Sequence, residues 1–259
     1  MIRLARLFAV ALLLTMLSPF VYAVWVSFAP GELLAPPTGE WSLRWYREFF
    51  DRPKWAAALG TSARVAGLSV AMALVGGLGV AVAVTRFHFR GKRVLSGAVL
   101  LPLFVPPVVL AMGMLPLVMT AGLRGTVFAL AAAHALISLP VVFLLLRSAL
   151  SQIDPDLERA ARGLGASPAG AFRRVTLPLI YPAVLTGVVM AFILSANEFT
   201  LSVFLGTPRA RTLPAALWPE ARDKETPLLA AASCLSGLVT LAGMAAMGWL
   251  LRARGERPV

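Results

Sequence analysis

Six long apolar runs separated by short polar or basic segments organise this chain, at about 7–28, 56–84, 94–120, 126–146, 183–205 and 228–251. Each is long enough to cross a hydrocarbon core of roughly 30 Å as a helix, which takes about 20 residues. The pattern predicts an all-α integral membrane protein of six transmembrane helices. The second and third runs exceed the minimum, so tilt or interfacial extension is expected there. No internal repeat or low-complexity segment is visible.

The most polar interior stretch runs from Asp154 to Pro182, with apolar runs on both sides. It is basic, helix-forming at both ends, and punctuated in its middle by Gly163, Gly165 and Pro168. A plain connection between two spans needs only a handful of residues. A folded helix–turn–helix at the membrane surface therefore predicts a docking surface for a soluble partner, with helices over 156–163 and 169–175. Gly165 supplies the reversal between them, because it has no Cβ penalty at positive φ. Leu177, Pro178 and Pro182 are expected to end the loop and aim the fifth span.

Composition agrees. The chain is 59% hydrophobic and 14% charged, outside the range of ordinary soluble domains. Its net charge of +12 is read as attraction to anionic membrane lipid and as an orientation signal, not as a nucleic-acid footprint. With both termini placed in the cytoplasm, 14 of the 24 basic residues fall inside, and the cluster at 86–93 sits against a span end. Arg3 and Arg6 ahead of an apolar run, with Val21-Tyr22-Ala23, also fit a cleaved signal peptide. The run continues to Phe28, longer than a usual signal core, and is read as a span. A single cysteine, Cys234, excludes a disulfide framework, and His88 and His134 lie far apart, so no metal site is expected.

The polar loop carries a motif. Ala160-Ala161, Gly165 four positions later, then Val175 and Leu177-Pro178 resemble the cytoplasmic loop of binding-protein-dependent ABC importer permeases. That family's pattern is Glu-Ala-Ala, three residues, Gly, nine residues, Ile, one residue, Leu-Pro. Arg159 stands at the family's Glu position, and the acid is displaced to Glu158. The resemblance implies the fold of type I ABC importer permeases and an ATPase-docking role for Glu158, Arg159, Ala160, Ala161, Gly165, Ala166, Ser167, Val175, Leu177 and Pro178. It also implies the partners: a cytosolic ATPase dimer that binds the ATP, a second permease subunit identical or paralogous to this one, and an extracytoplasmic solute-binding protein. The expected location is the bacterial inner membrane.

The stretches Leu43-Arg44-Trp45-Tyr46, Ser195-Ala196-Asn197-Glu198-Phe199, Arg211-Thr212-Leu213-Pro214 and Pro227-Leu228-Leu229 are similar to permeases for polyamines, aminoethylphosphonate and related organic solutes. Asn197 stands where an Asp is common in that subgroup. Glu198 is an acid within an apolar span, and such residues usually face a cavity or a partner. Asn197 and Glu198 are thus candidates for the translocation path, with snorkelling or helix pairing the alternative for Glu198. His134 is read as a link to a neighbouring helix. Gly76, Gly77 and Gly79 are read as close-packing positions, and 41–50 as an interfacial aromatic helix. The prolines at 102, 106, 107 and 116 predict either a broken third helix lining a path or packing kinks.

No phosphate-binding loop and no catalytic set can be assembled, so the chain is read as a transport subunit without enzyme activity or cofactor of its own. An ion-gradient-driven secondary transporter is the alternative. It calls for intramembrane charge relays and inverted repeats, of which one acid and no repeat are found. The expected organisation is a first span and external segment over 1–55 and a permease core over 56–251. The core includes the docking loop 148–182, and 252–259 forms a cytoplasmic tail.

Overall fold

The computed structural model describes residues 2–223 and 226–255; of the expected tail, 256–259 lie outside them. In chain order the helices are α1 (Ile2–Val26), α2 (Arg44–Asp51), α3 (Pro53–Arg86), α4 (Lys92–Leu100), α5 (Pro107–Thr120), α6 (Val127–Ser151), α7 (Pro155–Gly163), α8 (Pro168–Ala171), α9 (Leu177–Ala196), α10 (Thr200–Leu205), α11 (Leu213–Asp223) and α12 (Pro227–Gly255). Among the described residues the only β pairing is an isolated bridge between Thr207 and Ala210.

Four helical runs are long and apolar enough to cross a membrane unbroken: α1, α3, α6 and the stretch Pro168–Ala196. The third predicted span is not one rod. After α4 the chain makes a 3₁₀ turn at Leu101–Leu103 and bends by 106° into α5. Pro102, Pro106 and Pro107 remove three backbone donors there, and Pro106 holds an extended ψ of 137°. The fifth predicted span is also interrupted, between α9 and α10. The sixth is α12, apolar over Pro227–Gly243.

The chain divides into two compact units, one of residues 1–59 with 216–241 and one of 60–215 with 242–259. In the first, the short α2 turns Trp45 and Phe49 inward at i, i+4 spacing, and both are buried together with Trp55. Trp45 Nε1 donates to the Ala29 carbonyl at 2.9 Å, and Phe49 stacks on Trp55 at 6.1 Å. The expected interfacial belt is thus corrected for these rings, which anchor α2 to its own unit. The Tyr46 hydroxyl bonds Ser27 Oγ at 2.7 Å, and burial pushes the phenol above its ordinary value of 10.0, so it stays protonated at neutral pH.

In the second unit α6 is the central element, packed along α9 and buried over much of its circumference. One apolar cluster gathers Val65, Leu130, Leu201 and Leu205, and another gathers Val84, Phe143, Leu146, Leu150 and Ile180. Close approach to α3 needs glycine. A Cβ on Gly77 would lie 2.8 Å from Val142 Cγ1 and 3.2 Å from the Phe143 amide nitrogen, and one on Gly76 would lie 2.8 Å from Leu139 Cδ1. A Cβ on Gly79 would meet nothing within 4 Å, so that expected packing position is corrected: it points away from the contact.

Candidate docking turn and intramembrane break

Both ends of α7 are closed by local chemistry. Asp154 caps its start, Oδ1 accepting from the Asp156 amide at 2.9 Å, with Pro155 at the first helical position. At the far end the Ala166 amide donates to the Ala161 carbonyl at 3.1 Å and the Gly165 amide to the Arg162 carbonyl at 3.0 Å. These two bonds make a Schellman motif, which requires a left-handed residue between them. Gly165 takes it, with φ +91°. The next helix starts at once: Ser167 Oγ accepts from the Gly170 amide at 3.1 Å, with Pro168 following. The spacing of Ala161, Gly165, Ala166 and Ser167 is therefore the spacing of a C-cap joined directly to an N-cap.

Glu158 and its neighbour Arg159 part company. The Glu158 carboxylate turns inward, accepting from Arg86 Nε at 3.2 Å and from the Thr176 hydroxyl. Arg86 also donates through Nη1 to the Ile153 carbonyl at 3.4 Å, so the end of α3 is tied to the loop on either side of α7's start. Arg159, one position on and rotated by about 100°, is 71% exposed at its side chain and, among the described residues, is ion-paired only with Asp156 of its own helix. In the sequence Arg86 reads only as an orientation charge at a span end and Thr176 as a loop residue, because neither carries a motif of its own.

The second predicted docking helix does not stop before the span. A π turn, Phe172–Thr176, joins α8 to α9 without a break, the Leu177 amide reaching back five residues to the Phe172 carbonyl. Pro178 cannot donate to the carbonyl four residues before it, and the widened turn absorbs that gap. The expected loop end at Leu177-Pro178 is thus replaced by continuous helix, with Pro178 exposed and Leu177 and Val175 half-buried. Pro182 lies inside α9.

Between α9 and α10 the chain is held by side chains. Asn197 is exposed and returns its Nδ2 to the Ile193 carbonyl at 2.8 Å, while Glu198 Oε1 accepts from the Leu201 amide at 2.8 Å. Such local bonds compete with helix continuation, so Glu198 sits in a break and not inside a rod. His134 of α6 spans that break. Its Nδ1 meets Ser195 Oγ at the end of α9 at 2.8 Å, and its Nε2 meets Ser202 Oγ in α10 at 2.9 Å, all three residues being buried.

A capped polar turn between apolar runs and broken apolar helices around a central α6 mark a multi-pass membrane protein. Residues 73–255 match the family described as binding-protein-dependent transport system inner membrane component, and the chain belongs to that family. It is 31% identical over 249 residues to the putrescine transport system permease protein PotI of Escherichia coli K12, covering 93% of this chain and 87% of that protein. It is likewise 31% identical over 202 residues to the spermidine/putrescine permease PotC of Haemophilus influenzae, with 78% of each covered. A probable molybdenum ABC transporter permease of Haloferax volcanii is 36% identical over 169 residues, covering 62% of each. Among solved structures, a bacterial alginate ABC transporter in complex with a periplasmic protein matches with a TM-score of 0.75 at 14% identity, over 100% of this chain and 96% of that one. The MetNI methionine transporter matches at 0.65, with 18% identity, over 80% and 97%. The fold is that of the type I ABC importer permeases, and the chain is a multi-pass inner-membrane permease subunit of that transporter class.

Proposed function

We propose that this subunit forms half of the solute path of an ATP-driven importer and is driven through the loop 148–182 by a cytosolic ATPase dimer. The observation that carries the reading is the turn at 154–170, with Asp154 and Ser167 capping the starts of its two helices, Gly165 the reversal between them, and Leu164 projecting at 91% exposure. A second permease subunit, identical or paralogous, completes the path. ATP is bound and hydrolysed by the ATPase. In this reading the N and C termini of the chain lie in the cytoplasm, and closure of the ATPases moves α7 as a rigid piece, which the spans convert into alternating access.

The solute is taken to be a small organic cation of the polyamine type, in line with relatives that match most of the chain. Asn197 and Glu198, at the break, are the residues assigned to the path. An extracytoplasmic binding protein delivers the solute. The first unit presents a charged depression of about 390 Å³ lined in part by Glu32, Arg44, Glu48, Arg52 and Glu220, with Arg44–Glu32 and Lys54–Glu220 ion pairs at 3.3 and 2.8 Å.

Reconstitution tests the reading. The purified chain alone is expected to hydrolyse no ATP. With its ATPase and binding protein in liposomes, hydrolysis and putrescine uptake rise together when loaded binding protein is added. Hydrolysis by the chain alone, or uptake that follows an ion gradient without ATP, overturns it.

A further inference from the structure

The outward face of α7 is written at helical spacing as Asp156, Arg159, Ala160, Gly163 and Leu164, all exposed. At its centre are two residues with almost no side chain, and at its end is a leucine 91% exposed. Leu157, 48% exposed, stands at its edge. An apolar side chain so far out on a turn this well capped calls for a cover, and the small residues beside it let that cover come close.

Arginines outnumber free carboxylates around this face, although Asp156 lies on it. Glu158, the acid in the middle of α7, is taken by Arg86 and Thr176 and turns away. Asp154 is committed to the helix cap. Asp156 pairs with Arg159 across one turn, an exposed contact of the kind that contributes little and gives way readily to a better partner. Arg162 on α7 and Arg173 and Arg174 in the π turn are exposed, and none of their charged groups is ion-paired among the described residues. The surface is an apolar knob with guanidinium groups around it.

We infer that the ATPase surface receiving α7 is an apolar cleft that bears a carboxylate opposite Arg159, so that this permease supplies the guanidinium and its ATPase the acid. The inference rests on the docking role proposed for the turn and adds the chemistry of the partner. Arg presents a planar fork of donors that suits a carboxylate held in an apolar rim. The competing occupant for the same arginines is anionic lipid headgroup.

The experiment uses the full chain with its own ATPase in nanodiscs of phosphatidylcholine, a lipid without net charge. In the Arg159→Lys complex, carbodiimide converts a carboxylate to an O-acylisourea; the lysine amine attacks its acyl carbon and a urea leaves, so an amide forms and the carbodiimide carries off the elements of water. The expected product joins position 159 to an Asp or Glu of the ATPase, located by mass spectrometry. Arg159→Glu is expected to lower ATPase retention roughly tenfold or more, the scale of a reversed interfacial charge pair. Converting the mapped ATPase acid to Arg is expected to restore it. Benzoylphenylalanine in place of Leu164 keeps the two levels apart. If it captures no ATPase, the docking role itself fails. If it captures ATPase while the amide forms only with Asp156 or not at all, and Arg159→Glu retains ATPase at the wild-type level, the acidic cleft fails alone. Loss of ATPase with Arg159→Glu that appears only in phosphatidylglycerol discs assigns the arginines to lipid and also overturns the inference.

Discussion

The turn at 163–168 and the break at 196–200 both interrupt helices within the second unit, and they are closed in opposite ways. The turn is satisfied by its own backbone, by one positive-φ glycine and by one capping side chain, that of Ser167, and its surface is exposed. The break is satisfied from outside, by a buried histidine reaching over from α6 to a serine on each side. A self-closed turn keeps its shape when pushed and suits transmission of force. A break clasped by a neighbour changes when that neighbour moves and suits gating.

The contrast can be broken most forcefully at His134. His134→Ala removes two interhelical hydrogen bonds and leaves a cavity, an expected loss of about 2–4 kcal/mol. Denaturant-induced unfolding in mixed micelles reads it, with ATPase binding unaffected. A double-mutant cycle with Ser195→Ala and Ser202→Ala is expected to show coupling to both serines. At the turn, Gly165→Val strains a left-handed backbone by about 1–3 kcal/mol. A Cβ there would meet nothing within 4 Å, so the strain is conformational alone. Membrane levels and the unfolding midpoint of the spans are expected to hold while ATPase co-purification falls. Gly165→Asn, which tolerates positive φ, is expected to retain most of it. Ser167→Ala removes a cap worth about 1 kcal/mol, read as roughly fivefold faster hydrogen exchange at the Gly170 amide with no change at the break. The smallest effect on stability belongs to Glu198→Gln, since the amide oxygen can still accept from Leu201. Putrescine flux is nonetheless expected to drop, and unchanged flux at saturating loaded binding protein would leave Glu198 only its capping role.

The self-closed turn was largely legible in the sequence, and the clasped break was not. Asp154-Pro155, Gly165 and Ser167-Pro168 announce caps and a reversal through local preferences that act whatever surrounds them. His134, Ser195 and Ser202 say nothing about one another, because their meeting depends on how α6 lies beside α9. The same holds for Glu198: an acid in an apolar run reads as a buried charge until the chain is seen to leave the helix at that point. In α2 the aromatic–charged alternation was visible, yet which side faced inward was set by Ala29 and Trp55, both outside the helix. Gly77 and Gly79 look alike in sequence and differ only in whether Val142 lies opposite.

The π turn Phe172–Thr176 has a consequence for how chains of this kind diverge. A π turn holds one residue more than an α-helical turn. The widened turn takes up that residue locally, so the Ser167-capped end and the membrane portion of α9 keep, to within a few tens of degrees, the phase of a regular α-helix one residue shorter. The same extra residue in an unbroken α-helix would turn that end by about 100°. A one-residue change of length at this place can therefore leave the aim of an existing surface nearly unaltered.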